Sequence, residues 1–122
     1  MFIVTPQVTK LYNALMNRGV KCKMEDNDGY KTVDISIPEA RIYVEVDGLH
    51  HYTDPIQMRS DFERSYWSYK RNDFDTIHIP NIIIDSQLDR VADALSSVAK
   101  RYINEIEENN RGLWNKIRNF FN

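Results

Sequence analysis

The sequence contains one cysteine and no apolar run long enough to cross a membrane. Cys22 therefore has no partner for an internal disulfide, and the paired cysteines of a zinc knuckle are missing. The first residues lack the basic segment, apolar stretch and cleavage site of a secretory signal. We therefore expect a cytoplasmic protein without a membrane partner.

A surplus of positive charge is absent as well. The chain has 16 lysines and arginines against 18 acidic residues, for a net charge of −2, which argues against tight nonspecific binding to DNA. The basic residues are nevertheless clustered, and each cluster can either contact phosphates or form a solvated face with ion pairs such as Arg59 with Glu63. The two clusters are Lys21, Lys23 and Lys31, and Arg59, Arg64, Lys70 and Arg71.

The clearest feature present is a strand-like alternation over residues 32–37 and again over 42–47. Successive side chains of a strand face opposite sides, so valine and isoleucine at every second position form one apolar face in each run. The opposite face carries Asp34 in the first run and Glu45 and Asp47 in the second. The pattern predicts a hairpin with three carboxylates on its polar side.

The loop between the two runs sets how they align. A four-residue loop over 38–41, built around a type I turn with proline at its second position, places Ile37 opposite Ile42. In that register Asp34 lies opposite Glu45. Like charges facing each other require a compensating cation or a shared proton, and ligation by oxygen alone favours Mg²⁺ or Mn²⁺ over zinc. The alternative is the solvated face of an ordinary two-stranded ribbon.

Gly48, His50 and His51 follow directly after the second run. A glycine there permits a sharp turn or a close backbone approach, and a histidine can accept or relay a proton near neutral pH. Their position beside the acids favours a reactive site over a purely structural hairpin.

Asp34, the run Glu45-Val46-Asp47-Gly48 and His51 resemble the PD-(D/E)XK endonuclease-like superfamily, and within it the branch related to very-short-patch-repair nucleases. The resemblance covers residues 5–103 and extends to Asp61, Arg64 and a short strand ending in Ile-Pro-Asn. Two departures are visible. Asp47 replaces the superfamily's usual lysine, as it does in this branch, and the first helix offers Gln7 where a glutamate is often found.

The resemblance implies a restriction-endonuclease-like fold and a divalent-metal-dependent endonuclease that hydrolyses phosphodiester bonds in DNA. Asp34, Glu45 and the Val46 carbonyl would hold Mg²⁺ or Mn²⁺, Asp47 would ligate it or orient water, and His51 would act as base or stabilise the leaving group. The residues expected to contact DNA are Lys31, His50, Arg59 and Arg64. The two departures leave open a noncatalytic module of the same fold that binds DNA or RNA.

The remaining periodicity predicts an α/β fold. A mixed four-stranded sheet, made of a three-stranded antiparallel meander and a short fourth strand at an edge, is flanked by helices. Thr5 and Gly19 mark the first helix, and Asp85 or Ser86 is the expected cap of the last. His78, between isoleucines, is typical of a hydrogen-bonded structural residue. The other predicted elements are strands over 20–25 and 76–79 and a helix over 56–71.

Two segments carry more aromatic residues than one helix face can bury. In the helix over 56–71 this indicates either deep packing on the sheet or a surface where Trp67 or a tyrosine stacks on an unpaired base. Residues 109–112 are expected to break the last helix, which divides the chain into a nuclease-like domain over 1–108 and an amphipathic tail over 109–122. The tail is expected to fold back on its own domain, pair with a second copy, or dock on a larger protein such as a nuclease assembly.

Overall fold

Four strands form one mixed sheet in the order β1-β2-β3-β4, with helices on both faces. This computed structural model describes residues 4–29, 32–48 and 54–121, without some of the side chains in the second helix. The α/β class and the four-stranded mixed sheet are confirmed. The elements are α1 (Pro6–Asn17), β1 (Lys23–Asn27), β2 (Thr32–Ile37), β3 (Ile42–Asp47), α2 (Pro55–Asn72), β4 (Asp75–Pro80) and α3 (Asn81–Phe121).

The predicted strand register is confirmed where the ladder pairs β2 with β3. Ile37 lies opposite Ile42 and Ile35 opposite Val44, in antiparallel pairing. The loop is a single 3₁₀ turn over Pro38–Ala40, and it ends at Arg41 in the left-handed region at φ 54°. β1 pairs antiparallel with β2, whereas β4 runs parallel to β3 at the edge of the sheet.

The ends of α1 follow the predicted signals. Thr5 is the N-cap, and its hydroxyl accepts a hydrogen bond from the Val8 amide at 3.4 Å. Beyond the last turn, Gly19 has φ +79°, a conformation that glycine adopts without steric cost. The predicted start of β1 at Val20 is wrong, because the Val20 amide donates to the Leu15 carbonyl and closes α1 instead of entering the sheet.

The apolar face of the sheet holds the core. Helices α1 and α3 cover it. Five of the six valine and isoleucine positions of β2 and β3 are removed from water as the alternation predicts, and Val46 is half-buried. Side chains with no exposed surface at the centre of this core are Leu11, Leu15, Ile35, Ile37, Ile42, Val44 and Ile84.

Helix α2 covers the opposite, polar face of the sheet. The side of α2 that contacts the sheet carries charged residues, and the side that faces solvent carries aromatic residues. Asp61 and Arg64 are buried against the sheet, whereas Phe62, Tyr66 and Tyr69 are 66%, 62% and 57% exposed. The expectation of deep aromatic packing is therefore wrong for these three rings. The physical reason is that the sheet face beneath α2 is itself polar, so the side of the helix that meets it carries charges. The Trp67 side chain lies outside the described part of the structure.

The last helix differs from its predicted bounds at both ends. It begins directly after β4, and Ser86 donates to the Ile82 carbonyl at 3.1 Å instead of capping a helix start. Helical geometry is interrupted at Gln87, with φ −144° and ψ 43°, and continues through 109–112 to Phe121. The predicted break was wrong because a glycine costs a helix only about 1 kcal/mol relative to alanine, which good flanking helix formers offset.

Candidate functional site

The predicted acids lie on the polar face, near the carboxyl end of β3. Glu45 and Asp47 are 7% and 4% exposed, and Asp34 on β2 is half-buried. The Asp34 carboxylate accepts a hydrogen bond from the Val46 amide at 2.7 Å, which brings it directly against β3. The structure therefore joins Asp34 to β3 at Val46, just beyond the last β2–β3 pair, Ile35 with Val44; the alignment of Asp34 opposite Glu45 stays a prediction.

The compensating charge beside Glu45 is a guanidinium from α2. Arg64 is 8% exposed, and its Nη2 donates to Oε1 of Glu45. Its Nε lies 3.7 Å from Oδ2 of Asp28, which is buried in the turn between β1 and β2. That turn is shaped by Asn27, whose side chain accepts from the Gly29 amide at 2.7 Å. Arg64 thus joins three separate elements of the polar face.

His78 on β4, which the sequence predicts to be a hydrogen-bonded structural residue, is hydrogen-bonded to one of the acids and lies in the candidate site. The parallel register places it opposite Glu45, and its Nδ1 lies 2.7 Å from Oδ2 of Asp47. This hydrogen bond raises the pKa of His78, burial opposes it, and the nearby charges of Asp47, Asp61 and Glu45 raise it further. The alternation along β4 could have indicated a place in the site, since Thr76 and His78 lie on the polar face of the strand. The sequence did not show which strand β4 pairs with.

No protein-family model, curated protein or solved structure matches this chain. The resemblance to PD-(D/E)XK nucleases therefore stays a prediction that depends on the residues themselves. What the structure contributes is their arrangement: a mixed sheet with acids gathered on one buried polar face.

Three of the predicted site residues lie outside the described residues. They are Lys31, which precedes β2 in the sequence, and His50 and His51, which follow β3 in the sequence. Their proposed contacts with DNA and the proposed proton transfer by His51 remain predictions.

Arg59 and Arg64 have opposite environments although both belong to α2. Arg59 is exposed and pairs with Glu63 at 3.1 Å, which confirms that ion pair and leaves the guanidinium at the surface. Lys70 lies over the Tyr66 ring at 5.8 Å on the same helix. The outer surface of α2 therefore combines aromatic rings with positive charges, whereas Arg64 is committed to the interior.

The acids suit a magnesium ion by ligand type, but they do not form a complete cage. Among the described residues, no group of three aspartate, glutamate, histidine or cysteine side chains is placed to hold a metal ion. Mg²⁺ commonly uses only one or two protein carboxylates together with water. Asp34 and Glu45 supply two carboxylates and Val46 a carbonyl, which are ligands of this type. A cation at Glu45 would compete with the guanidinium of Arg64.

Proposed function

We propose that this chain is a Mg²⁺- or Mn²⁺-dependent endonuclease that hydrolyses phosphodiester bonds in DNA. The observation that supports it most strongly is the burial of charge on one sheet face. Aspartate, glutamate and arginine are rarely buried unless they are paired, and concentrations of them in one place are characteristic of functional sites. The buried charged residues are Asp28, Glu45, Asp47, Asp61 and Arg64, all between 4% and 8% exposed.

The residues of this face divide into a cation-binding part and a proton-transfer part. Asp34 and Glu45, with the Val46 carbonyl, would hold the ion, which when bound polarises the phosphate and lowers the pKa of water. Arg64 positions the Glu45 carboxylate. Asp47 orients the His78 imidazole through its Nδ1, so that His78 can hold or exchange a proton beside the acids. His51 remains the candidate base that the resemblance implies.

The test is cleavage of single- and double-stranded DNA and RNA with Mg²⁺ or Mn²⁺, using isosteric amides in place of the acids. Asp34→Asn and Glu45→Gln should abolish cleavage, because each removes a charged oxygen ligand but keeps the side-chain shape. Alanine at Glu45 is a poorer choice, since it would leave Arg64 buried without that partner. Glu39→Gln is the matched control, because Glu39 is exposed on the turn at the other end of the hairpin.

A wild-type protein that cleaves none of these substrates, or amide variants that cleave as well as wild type, would contradict the proposal. His78→Asn should reduce the rate without changing metal affinity if this residue transfers a proton. A rate unaffected by that change would assign the proton transfer elsewhere.

A noncatalytic nucleic-acid-binding module is the second candidate, and the ion pair between Arg64 and Glu45 favours it. The carboxylate that should bind a cation already has a positive partner within the chain. Calorimetric titration separates the two proposals. Binding of oligonucleotides without measurable binding of Mg²⁺ or Mn²⁺ would favour the module, whereas metal binding that Asp34→Asn abolishes would favour the nuclease.

A further inference from the structure

The end of α3 exposes an apolar stripe that the rest of the described chain does not cover. Every residue from 107 to 121 is exposed, including five large apolar side chains. Such a stripe at the end of a long helix indicates a surface for a partner. The exposed fractions are 58% for Leu113, 66% for Trp114, 39% for Ile117, 82% for Phe120 and 79% for Phe121.

The stripe has heptad spacing. Leu113, Ile117 and Phe120 follow one another at intervals of four and three residues, the pattern by which one helix packs along another, and Trp114 and Phe121 lie beside this row. The same spacing continues upstream through Ala92, Ser96 and Ala99, which are buried in the chain's own domain. We call this row of residues along α3 the seam. The domain covers the seam in the first part of the helix, and the seam is exposed in the outer part. Its members in the outer part of the helix are Ile103, Ile106, Asn110, Leu113, Ile117 and Phe120.

We propose that the tail, defined as residues 106–121 of α3, pairs in antiparallel orientation with the tail of a second copy of this chain. The orientation follows from what covers the upstream seam. A parallel partner helix would continue along the seam into the space that the sheet and α1 occupy beside Ala92 and Ala99. An antiparallel partner leads its own domain away beyond Phe121, so the two domains lie at opposite ends of the helix pair.

An antiparallel pair also aligns the seam with itself. Ile106 meets Ile117 of the partner subunit, and Asn110 meets Leu113 of the partner subunit. Each contact occurs twice about a two-fold axis, as in an isologous dimer. The polar amide at Asn110 sets the register at some cost in stability.

The distribution of charge supports the same direction. Glu107 and Glu108 lie in the first half of the tail, and Lys116 and Arg118 lie in its second half. An antiparallel pair places the acidic half of one helix beside the basic half of the other, whereas a parallel pair places like charges side by side.

The exposed area is sufficient for such a dimer. Aromatic side chains bury about 150–250 Å² each, so the three exposed rings in each of two copies, with Leu113 and Ile117, offer on the order of 1,000 Å² in total. That value is at the lower end of specific interfaces, so the dimer should dissociate on dilution. The proposal is independent of the proposed nuclease activity.

The test is sedimentation equilibrium of the full chain over a range of concentrations. Wild type should convert from monomer to dimer as concentration rises, and Ile117→Lys should remain monomeric. Asn115→Lys is the matched control, because it adds the same charge to the same helix turn but lies off the seam, and it should dimerise like wild type. A wild type that stays monomeric, or an Ile117→Lys variant that still dimerises, would overturn the proposal.

Cysteine cross-linking tests the direction. The double variant with Ile106→Cys and Ile117→Cys in one chain should form disulfide-linked dimers. The variant with Ile117→Cys alone should not, because position 117 of one copy lies far from position 117 of the other along an antiparallel pair. Native Cys22 is buried and serves as the background in both variants. Efficient cross-linking of Ile117→Cys alone would show a parallel pair. Binding of anionic phospholipid vesicles by a protein that stays monomeric would assign the stripe to a membrane surface and overturn the proposal.

Discussion

At the scale of single residues, the polar face shows how this chain tolerates carboxylates on neighbouring strands. The crowding of Asp34 with Glu45 predicts a cation or a shared proton as compensation. The structure supplies a guanidinium beside Glu45 and an imidazole beside Asp47. Both come from elements that follow the hairpin in sequence, so only folding brings them to the acids.

Arg64 should be more costly to replace than Arg59. We expect Arg64→Met to lower the free energy of unfolding by about 3–5 kcal/mol, because it removes the buried positive charge that Arg64 places beside Glu45 and Asp28. Arg59→Met removes only an exposed pair with Glu63 and should cost about 0.5 kcal/mol or less. Urea denaturation of both variants measures the difference, and equal losses would contradict the assigned burial.

The raised pKa of His78 predicts how stability depends on pH. A group whose pKa is higher in the folded state stabilises the protein most below its ordinary pKa, and this contribution is lost as pH rises through the folded value. Wild type should therefore lose stability relative to His78→Asn as pH increases across the neutral range. Urea midpoints of both proteins at matched pH values give the difference, and a constant difference would contradict the charged hydrogen bond to Asp47.

At the scale of secondary structure elements, some local signals for helix ends are confirmed and others are overridden. Thr5 caps α1 as predicted, since the cap is a hydrogen bond within four residues of sequence. The sequence Asn109-Asn110-Arg111-Gly112 suggested a stop, yet α3 continues through it, and the real interruption lies at Gln87. Propensity is a weak term that neighbouring residues can override, whereas a cap bond is specific.

Two glycines provide matched substitutions with opposite signs. Gly112 lies in a helix and a side chain there would meet nothing within 4 Å, so Gly112→Ala should stabilise the tail helix by about 1 kcal/mol. Gly19 is equally open but has φ +79°, so Gly19→Ala should destabilise the domain by about 1–2 kcal/mol. Amide hydrogen exchange in the tail measures the first change and urea denaturation the second. A stabilising Gly19→Ala would contradict the left-handed conformation.

At the scale of the whole molecule, the domain should be stable without the outer part of the tail. Residues 109–121 are all exposed, so a chain ending at Glu108 should keep the melting temperature that wild type shows at low concentration. It should also keep any nuclease activity and lose the concentration-dependent dimer. Thermal melts at two protein concentrations distinguish these effects, and a lower melting temperature under dilute conditions would show that the tail supports the domain. No helix in the described ranges is long and apolar enough to span a membrane.

Much of the sheet could be predicted because its rules are local. The alternation over β2 and β3 and the short loop between them place Asp34 beside the Glu45 strand end without knowledge of any other element. The side of α2 that is buried could not be predicted in this way. The aromatic residues of α2 suggested a core, but which side of a helix is buried depends on the surface it meets.

The sequence by itself determined the hairpin, its register from the Ile35–Val44 pair to the loop, and the face on which the acids lie, because strand alternation and a short loop set which neighbouring residues face each other. Only the tertiary structure decided what neutralises those acids. Arg64 lies 19 residues after Glu45, and His78 lies 31 residues after Asp47. Contacts over such separations depend on how α2 and β4 pack on the sheet, and no local pattern encodes that packing.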